Sequence, residues 1–169
     1  MNKIIAADVV IYSSEIRELF KEYLDWAAGI LNRDYGTNFS VADILDDNMA
    51  NLDIFSPPQG RLLLSLDDDY PAGIACLKHL TGNIGEVKRM YVRPLFRGRG
   101  IGRKLIELLI HEAQLFGYEK LRLDSARFMA EAHSLYQSVG FVEIEPYEGS
   151  EIPQPFQVHW KFMEKNLIS

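Results

Sequence analysis

The chain of 169 residues has one cysteine, Cys76. No internal disulfide can form, and a lone thiol fits a reducing compartment, so the cytoplasm is the expected location. Long apolar runs are missing too. Each is broken within about ten residues, far short of the 20 or so that cross a bilayer, so no membrane partner is expected. The first segment, Met1 to Tyr12, is interrupted by Asp8 and lacks a small-residue cleavage site, so it does not read as a secretory signal. His79, His111, His133 and His159 show no metal-ligand spacing and form no cluster with Cys76, so no metal is expected. Acids are absent from one window. Between Val87 and Ile106 stand Lys88, Arg89, Arg93, Arg97, Arg99, Arg103 and Lys104, seven of the 18 basic residues, with no Asp or Glu among them.

What is present is ordinary for a globular protein: 47% apolar and 25% charged residues. The length suits one domain over residues 1–169, able to hold a core without disulfides or structural metal. The net charge of −6 argues against nucleic acid as a partner, but its distribution says more. Outside the basic window 11 basic residues face 24 acidic ones, so the window is a local excess on which something anionic is expected to dock.

Periodicity predicts a strand over 4–11, then a helix capped by Ser13 or Ser14, with Ile16, Leu19, Phe20, Tyr23, Leu24, Ala27, Ile30 and Leu31 on its buried face. Trp26 reads as part of that core. A weaker helical pattern follows Ser40. Short apolar runs over 61–66, 72–79 and 86–92 read as a three-strand meander. A long amphipathic helix then carries Ile101, Leu105, Leu108, Leu109, Ala113 and Phe116 on one face and stops at Gly117. A strand over 119–125, a helix over about 130–138 and strands over 141–145 and 156–163 complete the chain. This is a mixed α/β order, in which the strands flanking the long helix should run parallel.

The sharpest feature is Arg97-Gly98-Arg99-Gly100-Ile101-Gly102, between a strand and the long helix. A helix N-terminus presents unpaired N–H groups and a positive dipole end, so arginines there are unfavourable unless an anion sits among them. Glycines let the backbone approach phosphate oxygens closely. The glycine spacing is wrong for a dinucleotide fingerprint, and Gly102 is followed by Arg103-Lys104-Leu105 rather than the Lys-Ser/Thr of a P-loop.

At these residues the chain resembles the GNAT superfamily of N-acetyltransferases, whose signature Arg/Gln-x-x-Gly-x-Gly/Ala is filled by Arg97, Gly100 and Gly102. The resemblance runs through Glu86 to Val92 before the loop and through Ala132, Leu135, Tyr136, Gly140 and Phe141 after it. It implies a GNAT-like acyl-CoA N-acyltransferase fold, a central twisted mixed β-sheet splayed beside the strand at 86–92, with helices on both faces. It also implies acetyl transfer from acetyl-CoA to a primary amine of a small-molecule acceptor, by a monomer or homodimer. Arg97, Gly98, Arg99, Gly100, Ile101, Gly102 and Arg103 would cradle the pyrophosphate, and Met90, Tyr91 and Val92 would pair with the pantetheine arm. Where many relatives have an Asn contacting the cofactor this chain has Met129, with Ser125 or Ser134 as substitutes.

By the same resemblance Glu86 is the candidate base and Tyr136 the candidate acid. From the residues alone, Glu86 could equally be a solvent-facing strand residue and Tyr136 a core residue against Phe141. Glu145, Glu148 and Glu151 on one loop, with Asp46, Asp47 and Asp53 near the second helix, read either as acidic walls for a cationic amine or as a solvated rim. The alternative function is a non-catalytic sensor of acyl-CoA.

Overall fold

The computed structural model describes residues 1–168. Strands β1 (Asn2–Ala6), β2 (Arg61–Asp67), β3 (Tyr70–Thr81) and β4 (Ile84–Val92) pair antiparallel in sequence, so the predicted meander is present. β5 (Lys120–Ala126) joins β4 in parallel. β7 (Trp160–Asn166) pairs antiparallel with both β5 and β6 (Val142–Ile144). The sheet order is β1-β2-β3-β4-β5-β7-β6.

Helices cover both faces, which explains why the inner strands read as unbroken apolar runs rather than alternating ones. Leu62, Leu64 and Leu66 of β2 point toward α1 (Ser13–Asp34) and α2 (Val41–Ala50), where Ile16, Leu19 and Phe20 are wholly buried. Leu63 points the other way, toward Leu105, Ile106 and Leu109 of α3 (Ile101–Leu115). α4 (Ala130–Ser138) lies beside α3, with Tyr136 in the same core. Each buried Leu or Ile contributes about 1.5–3 kcal/mol, so the two cores fix the sheet firmly between its helices.

Several boundaries differ from expectation. The first strand ends at Ala6 rather than reaching residue 11, because the Asp8 carboxylate accepts the N–H groups of Val10 at 2.9 Å and Ile11 at 3.0 Å and turns the chain out of the sheet. The N-cap of α1 is Tyr12, with no side-chain cap from Ser13 or Ser14. Ser40 does cap α2, accepting the Asp43 N–H at 3.2 Å. Leu108 is exposed and Ile106 is buried in its place. The stripe of α3 turns toward the Gly102–Ile106 row, which meets Leu135 of α4 and Met90 and Val92 of β4. The last strand starts at Trp160, since Gln154–His159 form a 3-10 turn after Pro153. No helix among the described residues is long and apolar enough to cross a membrane.

Candidate active site

Strands β4 and β5 stay together for only three pairs, from Ile84 with Lys120 to Glu86 with Arg122. Beyond Glu86 they part. β5 continues beside β7, whereas β4 follows β3 through an irregular register between Ile74 and Cys76 that leaves Arg89 and Met90 opposite the single residue Ala75. Arg89 is the bulged residue, with φ of 53°. The bulge breaks the period of two, so Lys88 and Arg89 both reach the α1–α2 face of the sheet. Between the diverging strands lies a cleft of about 910 Å³, walled by 87–92 and 124–126, roofed by Tyr23 and Trp26 of α1 and bordered by Met129 to Tyr136.

One end of the cleft is the loop that enters α3. Gly98 and Gly100 have φ of 78° and 79°, in the left-handed region that a side chain rarely adopts, and an added Cβ at either would meet open space. Gly100 is the N-cap and has no side-chain acceptor, so the first amides of α3 face outward without a capping partner. Arg97 donates Nε–H to the Val92 carbonyl at 2.8 Å and stands 5.6 Å from both the Trp26 and the Tyr91 ring centres. Arg103 reaches the Ser138 hydroxyl at 2.8 Å. On its β5 side β4 has no strand partner from Lys88 onward, so that edge is open along the cleft except where the Val92 carbonyl accepts Arg97. An uncapped helix start, an open glycine turn and a free strand edge in one groove suit a long ligand with a phosphate at one end.

The inner end is a buried charge cluster. Lys88 is 7% exposed, with its Nζ 2.8 Å from Glu151 Oε1 and 3.6 Å from Asp124 Oδ2. Arg89 holds both oxygens of Glu151, at 2.8 and 3.3 Å, and donates Nε–H to Asn48 of α2 at 2.8 Å. The two cations hold the Glu151 carboxyl far below the ordinary carboxylate range. Ser150 donates to Asp124 Oδ2 at 3.0 Å. The Tyr23 and Tyr136 hydroxyls are both pushed above the usual phenol value, chiefly by burial. Tyr136 also packs edge-on against Phe141, 5.8 Å between centres, so it is at once a core residue and part of the cleft wall.

The Acetyltransferase (GNAT) family model matches residues 15–141, a span that holds both walls of the cleft and the loop. The chain belongs to the GNAT family. It is an N-acetyltransferase by that membership. An uncharacterised N-acetyltransferase of Schizosaccharomyces pombe is 32% identical over 143 residues, covering 82% of each chain. A GNAT acetyltransferase from Staphylococcus aureus has the same fold, with a TM-score of 0.78 at 20% identity over 99% of this chain and 100% of its own. The PaiA N-acetyltransferase from Thermoplasma acidophilum, solved with coenzyme A, gives 0.74 at 19% identity over 98% and 99% of the two chains.

In this GNAT cleft the structure brings together Met90, Tyr91, Val92, Arg97, Gly98, Gly100, Ile101, Gly102, Arg103 and Tyr136. Two candidates are not among them. Arg99 points away and stacks on Phe96, 5.2 Å from its ring centre. Glu86 lies 2% exposed beside an adjoining cavity of about 210 Å³, which shares Lys88, Arg89 and Glu151 with the cleft; there its carboxylate accepts the Tyr147 hydroxyl at 2.7 Å and stands 3.6 Å from Lys78 Nζ. Ser134 faces solvent, whereas Ser125 lines the cleft and bonds His133 at 3.0 Å.

The basic window also divides. Lys88, Arg89 and Arg93 are buried and paired with acids from distant segments, Arg93 with Glu18 and Glu22, while Arg97, Arg99, Arg103 and Lys104 remain exposed. Trp26, read as core, is 37% exposed and packs over the cleft, tilted against Tyr91 and edge-to-face with Phe128. Asp124 drew no attention in the sequence and Tyr23 was read only as part of a buried helix face, since a strand aspartate and a tyrosine on an apolar helix face carry no distinguishing spacing. Glu145, Glu148, Asp46, Asp47 and Asp53 are exposed; only Glu151 of the acidic group enters the cleft. Among the described residues no group of three or more His, Cys, Asp or Glu is arranged to hold a metal ion.

Proposed function

We propose that the chain acts as one domain that transfers the acetyl group of acetyl-CoA to the primary amine of a small-molecule acceptor. The observation that carries this reading is the uncapped start of α3, with left-handed Gly98 and Gly100, opening onto the splayed edge of β4. The outward amides of that turn, with Arg97 and Arg103, would bind the diphosphate, and the β4 edge would take the pantetheine arm as an added strand. Once bound, acetyl-CoA supplies a thioester, an acyl group open to attack by an amine.

A lysine-like amine has a pKa near 10.4 and is only about 0.1% neutral at pH 7.4, a deficit of roughly 4 kcal/mol. A carboxylate beside it relieves this by taking the proton as attack proceeds. Asp124, 6% exposed and in the cleft wall, is placed for that role; Glu86 lies beyond Lys88 and serves to hold Tyr147 and Lys78. A backbone N–H among Met90 to Val92 would donate to the carbonyl oxygen as it gains charge. Tyr136 would protonate the departing thiolate, and its burial keeps that proton on the hydroxyl throughout the neutral range.

The test is a panel of primary amines with acetyl-CoA, read by release of free thiol, alongside calorimetric titration with coenzyme A. Binding with thiol release from at least one amine is expected. Binding with none across a broad panel would favour a sensor. Asp124→Asn should lower kcat about 100-fold, whereas Glu86→Gln should cost less than Asp124→Asn. The reverse order would return the base to Glu86.

A further inference from the structure

Lys88 and Arg89 stand deep in the inner end of the cleft, 7% and 8% exposed, on a bulge that turns both toward the same point. Two buried cations side by side require an anion. Asp124 is 3.6 Å from Lys88, and the remaining counterion is Glu151, which bridges the pair. Glu151 is unlike its partners. Its side chain is 45% exposed and belongs to the irregular stretch after β6, not to a strand or helix. It is thus a carboxylate brought in from a loop to the place where strand residues of the cleft wall present a two-pronged carboxylate receptor.

We propose that Arg89 and Lys88 form a carboxylate-binding subsite for the acceptor, which Glu151 occupies until the substrate's own carboxylate replaces it. Resting on the acetyl-transfer reading above, this makes the acceptor a small amino acid or a similar amine that carries a carboxylate. Asp124 and Glu151 share one ammonium group, at 3.6 and 2.8 Å. An acceptor whose carboxylate takes the place of Glu151 therefore presents its amine to Asp124 when one or two carbons separate the two groups. The exchange conserves charge: one carboxylate leaves the two cations and another arrives, so neither cation is stripped of its counterion.

The test separates the subsite from the chemistry. Wild type, Glu151→Gln and Arg89→Met are titrated by calorimetry with propionate and with propionamide, which share size and differ in charge. Glu151→Gln should bind propionate at least tenfold more tightly than wild type, with no gain for propionamide, and Arg89→Met should show no gain for either. No gain in Glu151→Gln, or an equal gain for the amide, overturns the proposal. Independently of any variant's folding, wild-type kcat/KM across amino acids should exceed that for the matching amino-acid amides at least tenfold; equal or reversed preference also overturns it. Coenzyme A is titrated into the same preparations. Propionate behaving as expected without coenzyme A affinity would remove the acetyl-transfer reading and keep the subsite, while coenzyme A affinity without the propionate gain would do the opposite.

Discussion

The two ends of the cleft carry the same sign of charge in opposite surroundings. At the α3 end Arg97, Arg99, Arg103 and Lys104 stand in water around an open glycine turn, and their mutual repulsion is screened. At the inner end Lys88 and Arg89 are buried and held to Glu151 and Asp124. The first arrangement needs no fixed counterion, because solvent and nearby neutral groups such as the Val92 carbonyl and the Ser138 hydroxyl satisfy most of it. The second does, since an unpaired buried cation costs several kcal/mol. On the proposed function, one end would recognise an anion by backbone shape, with the side chains adding modest attraction. The other depends on a particular counterion, and must exchange it rather than simply acquire one.

The largest effect that would sharpen this contrast is expected from Arg97→Ala combined with Gly100→Asp. It puts a negative charge and a Cβ at the helix start, and coenzyme A affinity should fall at least about 100-fold by calorimetry while the thermal unfolding midpoint stays within a few degrees. Next is Tyr147→Phe, which leaves an oxygen of the buried Glu86 without its 2.7 Å donor. Urea unfolding should show a loss of about 2 kcal/mol with coenzyme A affinity unchanged. A parallel loss of affinity would mean that the two ends are coupled. Tyr136→Phe should lower kcat about tenfold at constant KM, since the thiol leaving group, with a pKa near 8.5, needs little help.

The inner cluster also predicts an acid response. Because Glu151 titrates lower in the folded chain than in the unfolded one, its stabilisation is fully present above the ordinary carboxylate value of about 4.3 and is lost as pH falls below it. Denaturation midpoints measured from pH 6 to pH 3 should therefore fall less steeply in Glu151→Gln than in wild type. The smallest effect belongs to Arg99→Ala. Arg99 stacks on Phe96 outside the cleft, so coenzyme A affinity should change by no more than about threefold. A larger drop would place Arg99 on the phosphates after all.

Much of the fold was legible in the chain. The apolar runs of β2 to β4, the period of α3 and the Ser40 cap each act through neighbours a few residues away, and the glycine loop announces its own backbone geometry. Arg97, Gly100 and Gly102 could be named from the sequence for the same reason. Lys88 and Arg89 were visible as charges, but their counterions lie 36 to 63 positions further on, and no local pattern joins Lys88 to Asp124 or Arg89 to Glu151. That Glu86 lines the adjoining cavity was not legible either, because only the position at which β4 and β5 separate decides which residues of β4 face the cleft.

By itself the sequence determined the family, the strands and helices, and the glycine turn at the start of α3, because these rest on short-range periodicity and on backbone freedom encoded residue by residue. The tertiary structure alone decided which charges are buried, which carboxylate meets which cation and which aspartate lines the cleft. Burial and pairing depend on segments far apart in the chain, brought together by a bulge at Arg89 and a three-pair junction between two strands.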